Sequence, residues 1–251
     1  MSVAETVDHL RTHGYAVLRG AVPLDAVTLM RDTAVEDRER RVAPFELEAD
    51  THYPGSPESP DAEGGQTIRR LLWAHCRGPV FSELLHSDAL LAPLRAYFGG
   101  PVVCPLAHHN CVMTKEPRFS SDTGWHQDVR YWSFGRPDLV SGWVALGPER
   151  EENGGLRVVP GSHAMTFGPD RFDEHLFFRD DLPANAELLA TAISVDLEAG
   201  DLLLFHARTL HAAGRNRTGQ TKMAGVFTFR PLDNPPRPGS RSASMGELLL
   251  G

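Results

Sequence analysis

The spacing of apolar side chains changes period along the chain. Ser2 and Glu5 make a capping-box pattern ahead of Val7 and Leu10, and Gly14 stands where a short helix would stop. Tyr15-Ala16-Val17-Leu18-Arg19 then alternates as a strand. Pro23 opens a second helix through Leu24, Val27 and Met30, and the charged run from Glu36 to Arg41 reads as its solvated end. Residues 43 to 66 lose all periodicity and are dense in Pro, Gly, Ser and acids, which predicts a long loop, either a lid over a ligand or a disordered segment. Between Pro79 and Gly99, Phe81, Leu84, Leu85, Leu90, Leu91, Leu94 and Phe98 predict two helices. After Pro101 the period shortens to that of strands, in runs at 102–106, 109–114, 139–146, 156–159, 193–197, 201–206, 209–212 and 223–229. Short strands punctuated by Gly, Pro and Asn predict a sandwich or barrel. Residues 168 to 189 interrupt them as a second loop, and the Pro- and Ser-rich tail from 231 reads as surface coil.

Within the strand-rich half, Trp125-His126-Gln127-Asp128 carries the most chemistry. His126 and Asp128 are two apart, so on a strand an imidazole and a carboxylate leave the same face. A third ligand from a distant strand, His211, would complete a two-histidine, one-carboxylate set that leaves half of an octahedral metal open, as in non-heme Fe(II) oxygenases. His-x-Asp alone is a weak signal in a chain with 12 histidines and 33 acidic residues. The wider context strengthens it.

Trp-His-Gln-Asp is followed by Trp143, by Asn153-Gly154-Gly155-Leu156-Arg157-Val158-Val159-Pro160-Gly161-Ser162-His163, and by Gly200-Asp201 leading to His211 and Asn216. This ordered series resembles the phytanoyl-CoA dioxygenase family of Fe(II)- and 2-oxoglutarate-dependent oxygenases. The helix, Gly-Tyr strand and helix at the start resemble the same family. The resemblance implies a double-stranded β-helix, a cupin-like jelly roll with flanking helices and the metal inside one end. It also implies oxidation of a small molecule by dioxygen, with 2-oxoglutarate converted to succinate and carbon dioxide. The family pattern puts the third ligand before a small-residue pair and Asn, matching His211-Ala212-Ala213 and Asn216, so His211 is favoured over His206. A carboxylate at Asp128, where related halogenases have a small residue, argues against halogenation.

Relatives usually have Arg eleven positions after the distal histidine to hold the far carboxylate of 2-oxoglutarate; here that residue is Lys222, and the Ser common two after the histidine is Ala213. Lys keeps the charge but loses the planar bidentate fork. Trp143, Gln127 and Cys111 match positions near the cosubstrate, while Arg130, Tyr131 and Trp132, following Asp128, are candidates for substrate contact at the mouth.

The 251 residues, 41% of them hydrophobic, suffice for one large core without an obvious linker. A single oxygenase domain over 1–251 is expected, with a helical part at 1–100, a jelly-roll core at 101–230 and a coil tail at 231–251. The net charge of −8 argues against nucleic acid as a partner, and no apolar run is long enough for a membrane span. Three cysteines without disulfide or zinc spacing, and a start lacking a signal core, lead to the expectation of a cytoplasmic location. Oligomeric state is open. Two other classes remain: a degenerate barrel that binds a ligand or protein without turnover, and a zinc hydrolase built on the same His-Asp-His set.

Overall fold

The computed structural model describes residues 1–250. Helix α1 (Val3–His13) is capped at Ser2 by the reciprocal bonds the sequence predicts and closed by Gly14 in the left-handed region at φ 80°. A Cβ at Gly14 would lie 2.5 Å from the His163 ring, so that turn also needs the missing side chain for packing. Strand β1 (Tyr15–Leu18), helix α2 (Leu24–Glu39) and strands β2 (Phe45–Leu47) and β3 (Ile68–Leu72) follow. Helices α3 (Pro79–Leu85) and α4 (Asp88–Phe98) lead to β4 (Val102–Pro105), β5 (Asn110–Lys115), β6 (Thr123–His126), β7 (Val140–Ala145) and β8 (Leu156–Val158). Helix α5 (Pro183–Leu189) precedes β9 (Ile193–Ser194), β10 (Leu202–His206), β11 (His211–Ala213), β12 (Lys222–Pro231) and β13 (Glu247–Leu249).

The strands form two antiparallel sheets, the two layers of a jelly roll. The larger runs β1-β10-β7-β12-β5-β3-β2, with β4 and β13 continuing from β12; the smaller runs β6-β11-β8-β9. Strand alternation divides the large sheet into two faces. Met223, Phe227 and Phe229 of β12, Val140 and Val144 of β7, and Leu202 and Leu204 of β10 pack with Leu10, Met30, Phe81 and Leu94 of the helices. Ala224 and Val226, Trp143 and Ala145, and Leu203 and Phe205 turn the other way and meet Leu156 and Val158 of the small sheet. The helices brace one face of the large sheet, leaving the other to line the space between sheets.

Several elements depart from the sequence-based expectation. Beyond the expected strand β1, the first hundred residues also contribute β2 and β3 to the large sheet, so that part is less helical than expected. Strand β3 escapes notice because Arg69 and Arg70 interrupt its apolar pattern, yet Arg69 is buried with Glu48 as partner. The segment at 43–66 accordingly begins as β2 on the sheet edge. The loop at 168–189 contains α5, with Phe172 and Phe178 buried against Phe167. The tail is not surface coil: β13 pairs with β4, and Arg230 makes a two-point ion pair with Glu247. Local composition hid that pairing because both partners lie far away in sequence.

Gly142 offers a test of the outer face. A Cβ there would come within 2.8 Å of the Phe229 ring, and both residues are buried. Gly142→Ala should cost about 1 to 3 kcal/mol by overpacking. Denaturant unfolding should show part of that loss recovered in a Gly142→Ala, Phe229→Leu double variant, and simple additivity would contradict the packing.

Candidate active site

Strand β11 pairs with β6 so that His211 stands directly opposite His126, and Asp128 follows one residue beyond Gln127. Asp128 does not continue the strand: β6 ends at His126 and a tight 3-10 turn, Asp128–Tyr131, begins. The turn brings the carboxylate back toward the rings. Asp128 Oδ1 lies 3.6 Å from His126 Nε2 and 3.7 Å from His211 Nε2, and one ligand atom from each of the three residues falls within 4.8 Å of the others.

The second nitrogen of each imidazole is already engaged. His126 Nδ1 sits 2.9 Å from Gly124 O and His211 Nδ1 3.0 Å from Thr209 O. Because a carbonyl only accepts, each Nδ1 must donate, which leaves the Nε2 lone pairs facing Asp128 and free for a metal. Burial, reinforced by the neighbouring His126, pushes the His211 pKa down to about 4, so the ring is neutral near pH 7. Burial would raise the Asp128 pKa, but the neighbouring imidazoles of His109, His211 and His126 outweigh it and hold the carboxyl below the usual range. Ser141 Oγ, donating at 3.2 Å, steadies Oδ2. Two imidazoles held by their far nitrogens and an ionised carboxylate suit a divalent metal with open positions.

Strand parity separates His206 from this set. It shares its face of β10 with Leu202 and Leu204, on the helix side, and its Nδ1 accepts the Arg208 amide.

Two cavities meet at the cluster. The inner one, between the sheets, is lined by Arg69, Lys115, Trp143, Phe205, Ala213 and Lys222 among others; the outer one, about 380 Å³, by Tyr53, Trp73, Tyr131, Trp132 and Asp128 among others. Arg70, His109, Thr123 and His126 border both.

Basic groups converge on the inner cavity. Lys222 is buried and already paired, with Nζ 2.9 Å from Glu149 Oε2; Trp143 Nε1 donates to the other oxygen at 2.8 Å. The ammonium also stands 4.7 Å from the Trp143 ring centroid. Sequence reasoning expected Lys222 to hold the far carboxylate of 2-oxoglutarate, and no motif pointed to Glu149 as its partner. Arg69 pairs with Glu48, and Arg70 with Glu46. Lys115 was missed as well. Its Nζ donates to Ser121 O at 2.7 Å and Ala213 O at 3.4 Å, and among the described residues it makes no ion pair. Burial, with the charges of Arg69 and Lys222, lowers its pKa to about 7. Strand alternation from Cys111 could have flagged it, since 111, 113 and 115 share a face. Four basic side chains against Glu46, Glu48 and Glu149 leave the cavity short of negative charge, which fits a dianionic 2-oxo acid.

The other sequence candidates separate. Tyr131 and Trp132 line the outer cavity, and so does Cys111, on the substrate side rather than deep beside Lys222. Arg130 turns away: Nε donates to Gln127 Oε1, Nη2 to Phe167 O, and its guanidinium lies over the Phe172 ring. Gln127 faces the same way, its amide donating to Arg208 O. The turn that begins at Asp128 carries Arg130 off the mouth, and Gln127 hydrogen-bonds away from the cosubstrate position expected for it. Both long loops instead reach it, as Tyr53 meets Phe177 edge-on at 5.2 Å and Phe177 lies 6.0 Å from the His126 ring.

Comparison with known proteins fits this arrangement. The family model described as phytanoyl-CoA dioxygenase (PhyH) matches residues 10–224. The chain is 28% identical over 201 residues to an L-proline trans-4-hydroxylase of Streptomyces griseoviridis, covering 72% of this chain and 74% of that protein. It is 29% identical over 189 residues to an ectoine dioxygenase of Halomonas elongata, covering 68% of this chain but only 55% of that protein. In three dimensions it is similar to the epimerase SnoN, crystallised with Fe3+, alpha ketoglutarate and nogalamycin RO, with a TM-score of 0.75 at 21% identity over 94% of this chain and 86% of that one. At that identity the likeness shows the fold.

The Lys222–Glu149 pair yields a prediction for the free protein. Glu149→Gln strands a buried ammonium, and breaking a buried pair costs about 3 to 5 kcal/mol. Chemical denaturation should show such a loss, partly recovered when a metal and 2-oxoglutarate supply a new anion. A loss below about 1 kcal/mol, the range of an exposed pair, would contradict the buried pairing.

Proposed function

The chain belongs to the phytanoyl-CoA dioxygenase family of Fe(II)- and 2-oxoglutarate-dependent oxygenases, and from that premise we propose that it oxidises a small organic metabolite in the cytoplasm, with dioxygen as co-reactant. One observation carries the reading: the His-Asp-His cluster stands where a cation-lined cavity and an aromatic-lined cavity meet. His126, Asp128 and His211 are the proposed ligands of Fe(II), which when bound supplies dioxygen activation coupled to decarboxylation of the 2-oxo acid.

The chain's own residues then divide the work. Gly124 O and Thr209 O fix the two imidazoles, and Ser141 fixes the carboxylate. Lys115 and Lys222, with Arg69 behind them, neutralise the far carboxylate of 2-oxoglutarate. Trp143 and Phe205 keep water from it. Tyr131 and Trp132, which line the outer cavity, would hold the substrate beside the metal ligands. Hydroxylation is the default outcome, with desaturation, epimerisation or ring closure as the alternatives.

Succinate formation from 2-oxoglutarate with Fe(II) and air tests the reading. His126→Ala, Asp128→Ala and His211→Ala should fall to background while His206→Ala retains turnover; the opposite result for the last two would reassign the third ligand. Lys115→Met and Lys222→Met should each weaken 2-oxoglutarate binding by tens of times, since truncating one partner of a buried charge contact costs about 2 to 5 kcal/mol. Near pH 7, an anion beside Lys115 should draw a proton onto its amine, whose pKa burial has lowered to about 7. Calorimetry in buffers of different ionisation heat should find that proton uptake in the wild type and not in Lys115→Met. Equal uptake in both would exclude Lys115 from the site.

A further inference from the structure

The outer cavity has a wall that the strand pattern does not supply. Residues of the C-terminal segment, Arg241 among them, line it together with Trp73 and Leu72. The segment is clamped by Ser242, which is 1% exposed: its Oγ accepts the Ser133 amide at 2.8 Å and lies 2.7 Å from His108 Nε2. Ser133 follows Trp132 directly, so the tail is tied to the turn that carries Asp128.

The charges around this cavity are nearly all engaged. Arg70 is paired with Glu46, and Asp128 lies between the imidazoles of His109, His126 and His211. Arg241 is the exception: among the described residues its guanidinium makes no ion pair and no hydrogen bond, although it lines the same cavity. The remaining wall is aromatic. Trp132 stacks on His108 with ring centroids 4.9 Å apart, and Tyr131 stands 6.1 Å from His126. Trp73 holds a left-handed backbone at φ 60°, unusual for a bulky residue, and this residue, 45% exposed, lines the cavity. An exposed tryptophan, a stacked Trp-His pair and a fork of free N–H donors offer an apolar face and an anion site within one volume.

We propose that Arg241 is the anchor for the substrate's negative group, and that the substrate is a small organic anion whose ring or apolar body lies against Trp73 and Trp132. This rests on the oxygenase reading for the identity of the cavity as a substrate site. The guanidinium binds a carboxylate or a phosphate through paired N–H donors, while about 380 Å³ bounds the substrate to a single compact molecule.

Matched probes test the proposal by equilibrium binding to the full chain loaded with Mn(II) and 2-oxoglutarate, read from tryptophan fluorescence or calorimetry. The probes are indole-3-acetate against its amide, 3-phenylpropanoate against its amide, and phenyl phosphate against phenol. At least one anion should bind more tightly than its neutral partner by about five- to tenfold, the range for an accessible charge-assisted contact. Whether the carboxylates or the phosphate show the larger ratio identifies the group. In Arg241→Gln the ratio should fall to near one, and Arg241→Lys should restore part of it. If no anion outbinds its neutral partner, or if the preference persists in Arg241→Gln, the proposal is overturned. The visible absorbance of anaerobic Fe(II) with chelating 2-oxoglutarate, measured on the same wild-type preparation, tests the oxygenase reading separately.

Discussion

Everything at the site depends on the pairing of β11 with β6. That short ladder sets His211 across from His126, and the tight turn after β6 returns Asp128 to the same point. Neither strand is long, so the register is held from outside. His211 also faces Val158 of β8, and Val158 and Leu156 are packed against the large sheet. A one-residue slip would turn His211 away from the cavity and drive Ala212 into its place. Two carbonyls then convert a register into a metal-ready geometry, because each holds an imidazole by its far nitrogen.

The second constraint is electrostatic. Burying several basic side chains between two sheets is costly unless carboxylates accompany them. Glu46, Glu48 and Glu149 provide that company for Arg70, Arg69 and Lys222, while Lys115 has only carbonyls. The inner cavity is thus organised as a structure that tolerates one more anion than it contains. On the outer side aromatic faces predominate, and Arg241 contributes the one uncompensated charge found among the described residues there. An iron site between these two environments could receive a charged cosubstrate from one side and an organic molecule from the other.

Much of this was legible in the sequence, for identifiable reasons. The alternation from Tyr15 and the helical spacing of Leu90, Leu91 and Leu94 are local signals, and the corresponding elements form. Motif order pointed to His126, Asp128 and His211 without any structure. What stayed hidden depends on distant partners. Strand β3 carries two arginines whose counter-charges lie on β2 and the turn after it, so its pattern reads as polar. Glu149 looks like one acid in a run of charges until Lys222 and Trp143 are seen to close on it. The tail reads as coil because the partners of buried Ser242, Ser133 and His108, lie 109 and 134 positions away in the chain. Arg130 looked like a mouth residue because it follows Asp128, and the turn geometry sends it to Gln127 and Phe172 instead.

The central claim is that iron is held by two imidazoles and one carboxylate, with room beside them for a chelating 2-oxo acid. X-ray absorption on the anaerobic Fe(II)-loaded protein, with and without 2-oxoglutarate, measures that shell directly. The predicted result is imidazole scattering from two histidines, halved in His211→Ala, with first-shell oxygens rearranging into a chelate when 2-oxoglutarate is added. A shell that keeps two imidazoles in His211→Ala, or that does not change on adding 2-oxoglutarate, would contradict the account.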